Sequence, residues 1–277
     1  MKSFQSGQVV LITLLVLSIA TTIALSLLGR TTTDLNITNQ VEESSRAFSA
    51  AEAGIEEALK LGTSVGATGI SGASDVTYTV NRADLGGSTT PYRLPRKTRK
   101  GETESVWFVP HDPTTGIPNI VRTYTSPDID LCWSQESAVP AVVVAVLYQE
   151  STDSSFRVAR GAYDPSVRGN FSLHTDTTGC GSGTGTFYRR VIAFSSLSAT
   201  LNAAVDTVIE MRIRPVYSDV QLAVRASSVN FPVQGNQFIS TGSTTTGLTR
   251  KITVYQQYRS ALGIFDYAVY SQNNFVQ

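Results

Sequence analysis

The chain has 277 residues, and its 22 Lys and Arg are balanced by 22 Asp and Glu, for a formal net charge of zero. Global electrostatics therefore gives no sign of a nucleic-acid or acidic-substrate partner. Only 16% of the residues are charged, and Ser and Thr are abundant, which is typical of a surface-exposed, β-rich extracellular protein. The order of polar and apolar residues is more informative than the overall charge.

The first element is a long apolar run behind a short leader. No charged residue occurs between Lys2 and Arg30, and the twenty residues Val9–Leu28 include thirteen Val, Leu or Ile. As a helix they would span roughly 30 Å, the thickness of a bilayer's hydrocarbon core. At about −0.3 to −0.6 kcal/mol for each large aliphatic residue, insertion is favoured by roughly 4–8 kcal/mol. The run predicts a transmembrane helix.

The helical pattern continues beyond this run without a breaker. Residues that form one stripe recur at steps of three and four, with charged residues on the other faces; the stripe comprises Ile37, Val41, Ser44, Phe48, Ala51, Ile55 and Ala58. No proline precedes Pro91, and Gly62, with Lys60 just before it, predicts the helix end. We expect one helix over residues 8–62, roughly 80 Å long, with its stripe docked on the β region and on neighbouring helices.

Two simpler interpretations of the apolar run remain open. A secretory signal has a shorter apolar region and a small-residue cleavage site after it, whereas the best processing site here lies before the run. A plain, uncleaved anchor would keep its leader. Cleavage before the apolar run would distinguish a processed helix from both a secretory signal and a plain anchor.

The two ends of this helix carry a resemblance to a known family. Lys2, Ser6-Gly7 and the following Gln-Val-Val-Leu-Ile resemble the leader and N-terminal helix of type IV minor pilins. Arg46–Ile55, with the sequence RAFSAAEAGI, resembles the A-x-x-A-A-E-A-G/A signature of the PilX-like minor pilins. The likeness covers residues 1 to about 60. A later stretch, Gln234–Gly242 followed by Arg250–Val254, resembles the closing strands of many minor pilins.

The resemblance implies an α+β, pilin-like fold with one long N-terminal helix followed by a mainly antiparallel β-rich domain. It implies that residues 1–7 are a prepilin leader, which prepilin peptidase removes between Gly7 and Gln8, with methylation of the new N-terminus. Residues 63–277 would form an extracytoplasmic domain, with the N-terminus cytoplasmic and the helix in the inner membrane. Other pilins, contacted through this helix in a type IV pilus at the cell surface, are the implied partners.

One position departs from the family pattern. Major pilins carry Glu at the fifth mature position, where this chain has Ile12. That carboxylate is thought to neutralise the terminal amine of a neighbouring subunit, and an unpaired ammonium in a bilayer is costly. Its absence resembles tip or initiating minor pilins and pseudopilins, which favours a role in assembly or initiation over that of the repeating subunit.

The rest of the chain predicts short strands separated by turns. Residues 63–74 are rich in Gly, Ser and Ala and predict a loop, Leu197–Val205 a short helix, and Gly242–Gly247 the loop of a closing hairpin. The predicted strands are Val76–Val80, Val106–Val109, Ile120–Thr125, Ile129–Trp133, Ala141–Gln149, Phe156–Ala162, Phe187–Phe194, Thr207–Arg214, Val220–Arg225, Phe238–Ser240, Lys251–Tyr258 and Ile264–Ser271. One sandwich-like domain and two smaller sheets both remain open.

The two cysteines, Cys132 and Cys180, both follow the helix. In an oxidising compartment they would pair, and the bridge would add on the order of 4 kcal/mol in the chain-entropy model. Two free, buried thiols are the alternative. A metal site is not expected, because the two thiolates lack suitable histidine partners.

Five cations are clustered beside Tyr92, between Pro91 and Glu102. This basic cluster comprises Arg93, Arg96, Lys97, Arg99 and Lys100. Pro95, Glu102 and Glu104 favour an exposed loop with local charge balance, and the alternative is a site for a polyanion or an acidic partner.

No catalytic constellation is evident in the sequence. His111 and His174 are predicted surface-loop residues outside any triad or metal motif. The glycine-rich residues 179–185 lack the lysine of a P-loop and predict a flexible loop. Five aspartates in turn-like contexts lack calcium-binding spacing; they are Asp112, Asp128, Asp130, Asp153 and Asp164. We expect no cofactor, metal or small-molecule ligand and a structural protein, with a membrane-anchored, ligand-binding β domain as the alternative and an extracytoplasmic enzyme as the least supported one.

Overall fold

The computed structural model describes residues 6–113, 115–180, 187–198, 201–226, 228–261 and 263. Within these residues one helix, α1 (Ser6–Leu61), precedes twelve strands and a short 3-10 turn, Phe194–Ser196. The strands are β1 (Val65–Ile70), β2 (Ala73–Gly86), β3 (Tyr92–Arg93), β4 (Glu104–Trp107), β5 (Asp128–Ser134), β6 (Ala141–Gln149), β7 (Phe156–Tyr163), β8 (Phe187–Ala193), β9 (Thr207–Val216), β10 (Leu222–Arg225), β11 (Val233–Thr244) and β12 (Thr249–Gln257). The α+β prediction, one long N-terminal helix followed by antiparallel sheets, is confirmed.

Helix α1 is continuous over 56 residues, about 84 Å at 1.5 Å per residue. Hydroxyls within the apolar run do not interrupt it, because they donate to carbonyls of the preceding turn, as Thr13 does to Val10 (2.9 Å) and Ser18 to Leu15 (2.8 Å). The helix ends as predicted at Gly62, whose φ is +69° and whose N–H donates to the Ala58 carbonyl at 2.8 Å. This left-handed conformation suits glycine and closes the last turn.

The chain divides into two compact units. The first unit comprises the chain up to Arg82 together with Phe238–Val254. It includes α1 and most of a four-stranded sheet in the order β1–β2–β11–β12. Its core brings together Ile55 and Ala58 of the helix with Val76, Val80 and Phe238 of the sheet.

The second unit comprises Ala83–Gln237 and the chain from Tyr255 onwards. It holds two four-stranded sheets, in the orders β3–β10–β5–β8 and β4–β9–β6–β7. One large apolar core draws on both sheets, including Trp133 of β5 and Val144 of β6, both of which have no exposed surface. The sequence left open one domain or two smaller sheets, and the second unit has both sheets on a shared core.

The sequences of two central strands predict how they are buried: the almost wholly apolar Ala141–Leu147 predicts a strand buried on both faces, and the alternation of Thr207–Arg214 predicts one wet face. Val142, Val144 and Val146 of β6 are fully buried, whereas the residues between them are half-buried, so the strand is not enclosed equally on both faces. The predicted wet face of β9 is also wrong at Glu210, which is only 5% exposed because Trp107 of β4 lies opposite it in the ladder.

Three predicted elements are wrong. Residues 63–74 include strand β1, which pairs with β2. Ile120–Thr125 is not a strand: Arg122 donates to the Ala203 carbonyl and the Tyr124 hydroxyl to the Asp128 carbonyl, so side chains anchor an irregular segment. The described residues of Leu197–Val205 are not helical; Asp206 accepts the Asn202 N–H there.

The closing hairpin is only partly as predicted. Strand β11 continues to Thr244, so the turn is shorter than Gly242–Gly247, and Gly247 adopts a φ of +87° within it. The predicted strand Ile264–Ser271 lies outside the described residues. The remaining predicted strands coincide with or overlap β2, β4–β9, β10, β11 and β12.

Candidate functional site

The first half of α1 presents a large apolar surface. Its large apolar side chains over Val9–Leu28 are 51–68% exposed, and none of them contacts the core of the first unit. In the described part of the chain, α1 is the one helix long and apolar enough to cross a membrane. An apolar surface of this size is not stable in water, and the helix is compatible with a membrane anchor.

The second half of α1 packs on the first unit through small side chains. Ala47, Ala50, Ala51 and Ala58 are fully buried, and Ile55 is nearly so. The predicted stripe is therefore partly wrong, because the buried face is shifted towards the alanines.

The large residues of the predicted stripe are not buried. Phe48 is 46% exposed, and Ile37 and Val41 are more than half exposed. Docking on the β region is found for Ala51, Ile55 and Ala58, which are buried, and for Ser44, whose hydroxyl accepts Arg250 Nε. Docking of the stripe on neighbouring helices stays a prediction. Ile37, Val41 and Phe48 lie on helix surface that no described residue covers.

Two glycines allow the close approach of α1 to β2 and β11. A Cβ added to Gly242 would lie 2.0 Å from the Ala47 carbonyl oxygen and 2.7 Å from the Ala51 nitrogen. A Cβ on Gly54 of the helix would lie 2.5 Å from the Ser240 hydroxyl and 2.8 Å from the Tyr78 ring. Only glycine fits at these points, since any side chain would have to displace backbone or ring atoms.

Polar contacts flank this glycine and alanine interface. The Arg46 guanidinium lies 2.5 Å from an Asp75 carboxylate oxygen and 2.9 Å from Glu42. The Asp75 charge, reinforced by Glu42, raises the pKa of Arg46 above its ordinary value. The Tyr78 hydroxyl donates to Glu57, and this hydrogen bond raises the pKa of Tyr78.

The hairpin of β11 and β12 adds two further contacts to α1. The Thr246 hydroxyl donates to Glu43 at 2.7 Å, and Arg250 Nε donates to the Ser44 hydroxyl at 2.8 Å. The same hairpin therefore contacts both Glu43 and Ser44, which lie just before the buried alanines of α1. Each contact is exposed and individually worth little, but together they fix the rotation of the helix.

The two cysteines form a disulfide, as expected for an oxidising compartment. The Cys132 and Cys180 Cα atoms are 5.9 Å apart. Cys132 is fully buried on β5, where it packs with Phe187 and Ala223. The alternative of two free thiols is wrong.

The aspartates considered for calcium make other contacts. Asp130 is buried on β5 and accepts Arg225 Nε at 2.9 Å, with Arg189 Nε 3.1 Å away. Asp164 is buried in a turn and accepts Arg168 Nε at 2.6 Å. No group of three His, Cys, Asp or Glu residues able to hold a metal ion occurs among the residues the structure describes.

Two of the five cations in the basic cluster, Arg96 and Lys97, form ion pairs with described acidic residues. Arg96 lies 2.9 Å from Glu104 and 3.5 Å from Glu102, and Lys97 lies 2.8 Å from Glu136. The Arg93 guanidinium lies over the Phe187 ring, 5.2 Å from its centroid. Arg99 and Lys100 complete the cluster in the turn that leads to β4, where both are exposed. The pairing of Arg96 and Lys97 is consistent with an exposed loop of local charge balance, and a polyanion site stays the alternative.

The two histidines differ in their surroundings. His111 is buried, so its prediction as a surface-loop residue is wrong; its ring stacks on Tyr258 with centroids 4.0 Å apart and meets the Trp107 ring edge-on at 4.6 Å. Burial lowers the pKa of His111, and the Val109 backbone opposes this shift. His174 is half-buried beside Tyr188. The two rings are not brought together in one cluster.

The predicted processing site lies at the start of the helix. Gly7 and Gln8 belong to the first turns of α1. No family model, curated protein or solved structure among those compared with this chain matches it. The chain's own residues therefore carry the functional argument.

Proposed function

We propose that the chain is a minor-pilin-like structural subunit, processed by prepilin peptidase between Gly7 and Gln8. It would take part in assembly, in initiation or at the tip of a type IV pilus or a related filament. Residues 1–7 would be the leader, and residues 63–277 the extracytoplasmic domain. Its N-terminus would be cytoplasmic before processing, and its partners would be other pilins, the peptidase and the inner membrane.

The observation that carries this proposal is the division of α1 into two unlike halves. Val9–Leu28 has no cover among the described residues, whereas Ala47–Ala58 is packed on a sheet through glycine and alanine. A plain anchor needs about twenty apolar residues. A helix of 56 residues, fixed at one end and apolar at the other, suits a subunit that moves from a membrane into a helical bundle.

The same argument favours an assembly role over catalysis. Within the described residues, two buried carboxylates of the second unit are held by arginines in a strand and a turn: Asp130 by Arg225 and Asp164 by Arg168. The position of Ile12, where major pilins carry Glu, supports a rare subunit over the repeating one.

A second candidate is a single-pass anchored β-domain protein that binds a ligand or surface without polymerising. The exposed helix supports this candidate equally well. Processing separates the two candidates, because a plain anchor has no requirement at Gly7.

The experiment is a Gly7→Val substitution, with Gly29→Ala as the matched control. A Cβ on Gly29 meets nothing within 4 Å, so the control leaves the helix surface almost unchanged. For the pilin-like function, Gly7→Val keeps the leader and loses co-sedimentation with filaments, while Gly29→Ala is processed and assembles. Equal behaviour of Gly7→Val and the unmodified chain in both assays would favour the plain anchor.

A further inference from the structure

Two stretches of the sequence match the acceptor pattern of N-linked glycosylation. The pattern is Asn, any residue except Pro, then Ser or Thr, and it occurs at residues 36–38 (Asn-Ile-Thr) and 170–172 (Asn-Phe-Ser). The asparagine amide is the acceptor, and the pattern also requires the hydroxyl two residues later. Both side chains must therefore be accessible on one side of the chain. The structure distinguishes the two stretches by this requirement.

The first stretch lies within α1. Residues two apart on an α-helix do not face each other, so the Asn36 side chain and the Thr38 hydroxyl point to different sides of the helix. The Thr38 hydroxyl also donates to the Asp34 carbonyl at 2.9 Å, as part of the helix. Asn36 follows Leu28, the last residue of the apolar run, by about 12 Å along the helix. This stretch therefore lacks the geometry of an acceptor.

The second stretch lies in the loop that follows β7. Asn170 and Ser172 are exposed, whereas Phe171 between them is half-buried. The two outer side chains therefore lie on the same side of the segment, as residues two apart do in extended backbone. The acceptor amide and the hydroxyl are both presented to solvent on that side.

Hydrogen bonds hold this loop on the second unit. The Asp164 N–H donates to the Ser172 carbonyl at 2.8 Å, and the Ser172 N–H donates to the Ala162 carbonyl at 2.9 Å. The fully buried Asp164 carboxylate accepts Arg168 Nε at 2.6 Å and the Ser166 N–H at 2.8 Å. The loop is thus anchored through the backbone of Ser172, and its side chain is not needed for these bonds.

We infer that Asn170 is an acceptor for N-linked glycosylation and that Asn36 is not. Modification of Asn170 requires residues 63–277 to be extracytoplasmic, so it rests on that part of the proposed function. The disulfide between Cys132 and Cys180 is the kind of bond that persists in an oxidising, extracytoplasmic compartment. The donor is an oligosaccharide linked to a polyprenyl phosphate of the membrane, and a transferase delivers it.

The transfer is a substitution at the first carbon of the sugar. Asn170 Nδ2 forms a bond to that carbon, and the bond between the carbon and the phosphate oxygen of the donor breaks. The lipid phosphate leaves with the electron pair, and the amide loses one proton to a basic group of the transferase. No oxidant or reductant is consumed. The product carries a bulky, solubilising group on the exposed loop.

The test is peptide mapping by mass spectrometry of the chain recovered from the membranes of its native host. Trypsin cleaves after Arg168 and Arg189 and releases residues 169–189. Electron-transfer fragmentation keeps sugars attached and locates any added mass. We expect a glycan mass on Asn170 and none on Asn36. An unmodified peptide, or a sugar on a serine or threonine of this peptide, would overturn the inference.

Substitutions within the two acceptor patterns make the test specific. Asn170→Gln removes the acceptor amide and Ser172→Ala removes the hydroxyl, so each should abolish the added mass, whereas Ser172→Thr should keep it. Asn36→Gln is the matched control and should leave the mass unchanged. All these side chains are exposed, so the fold should persist in every variant. A glycan on Asn170 that remains in Ser172→Ala would contradict the assigned pattern.

The same peptide map also reports whether the chain begins at Gln8 or at Met1. A chain that begins at Gln8 with Asn170 unmodified overturns the glycosylation alone. A chain that begins at Met1 with Asn170 modified contradicts the proposed processing and supports the glycosylation.

Discussion

Gly242 and Ala47 meet backbone to backbone, since a Cβ on Gly242 would lie 2.0 Å from the Ala47 carbonyl oxygen. This contact lets α1 approach β11 more closely than two side chains would allow. The same helix turn buries Ala47, Ala50 and Ala51 completely. The A-x-x-A-A-E-A-G pattern of the sequence is, in structural terms, the small face that this contact requires.

Gly242→Ala should destabilise the docking of α1 by about 3 kcal/mol, because the methyl group must displace helix backbone and not a flexible side chain. The measurement is hydrogen exchange of the amides of residues 47–58 in detergent-solubilised protein. Gly66→Ala is the control, since its Cβ meets nothing within 4 Å. If both variants exchange alike, the close contact does not hold the helix.

Much of the architecture could be predicted from the sequence. The apolar run and the heptad-like pattern predict α1 to within two residues at its start and one at its end, because a 3.6-residue period and a glycine stop are local signals. The strand Ala141–Gln149 is found with its predicted bounds, since a run of Val and Ala is a strong local signal. Strand β1 is not evident in the sequence, because its Gly-rich stretch has a weak intrinsic strand preference and is held by pairing with β2.

The helix contact face could be predicted only in part. The helical period of the sequence does not show whether the face of Phe48 or the adjacent face of Ala47 and Ala50 packs on the sheet. The contact face is decided by Gly242, nearly two hundred residues away, because its lack of a side chain lets the alanine face of the helix approach β11. The burial of His111 is likewise not indicated by its own stretch of sequence, because it depends on Tyr258, a distant partner that no local pattern indicates.

Removal of the disulfide should lower the free energy of unfolding of the second unit by roughly 4 kcal/mol, the chain-entropy value for its sequence separation of 48. The change is the double variant Cys132→Ala and Cys180→Ala, with denaturant unfolding followed by the fluorescence of the buried Trp133. The unmodified chain should show the same loss in reductant, and the variant no further loss. Insensitivity of the unmodified chain to reductant would contradict the prediction.

The stability of the second unit should fall as the pH drops below about 6.5, the ordinary histidine pKa. Burial lowers the pKa of His111 in the folded chain, so the unfolded chain takes up a proton first; stability is present above that pH and is lost as the pH falls. Unfolding midpoints measured from pH 7.5 to 5 should show this slope. His111→Phe should reduce it and keep the aromatic stack on Tyr258. If the dependence of the unfolding midpoint on pH is unchanged in His111→Phe, another group causes the acid sensitivity.

A loss of stability is also expected in alkali. Burial raises the pKa of Tyr92 to about 12, and its hydroxyl accepts Gln257 Nε2 at 3.0 Å. Because the folded pKa lies above the unfolded value near 10, this contribution is complete below pH 10 and is lost up to about pH 12, by roughly 2–3 kcal/mol. Denaturant unfolding at a series of pH values measures it. Tyr92→Phe should flatten part of this fall.

The central claim is that α1 begins, in the mature protein, as a processed N-terminus ahead of an apolar helix. Intact-mass measurement with N-terminal peptide mapping, on protein recovered from membranes, tests it most directly. The account predicts a chain that begins at Gln8, without the seven leader residues Met1–Gly7. A chain that still begins at Met1, or one cut after Leu28, would contradict it.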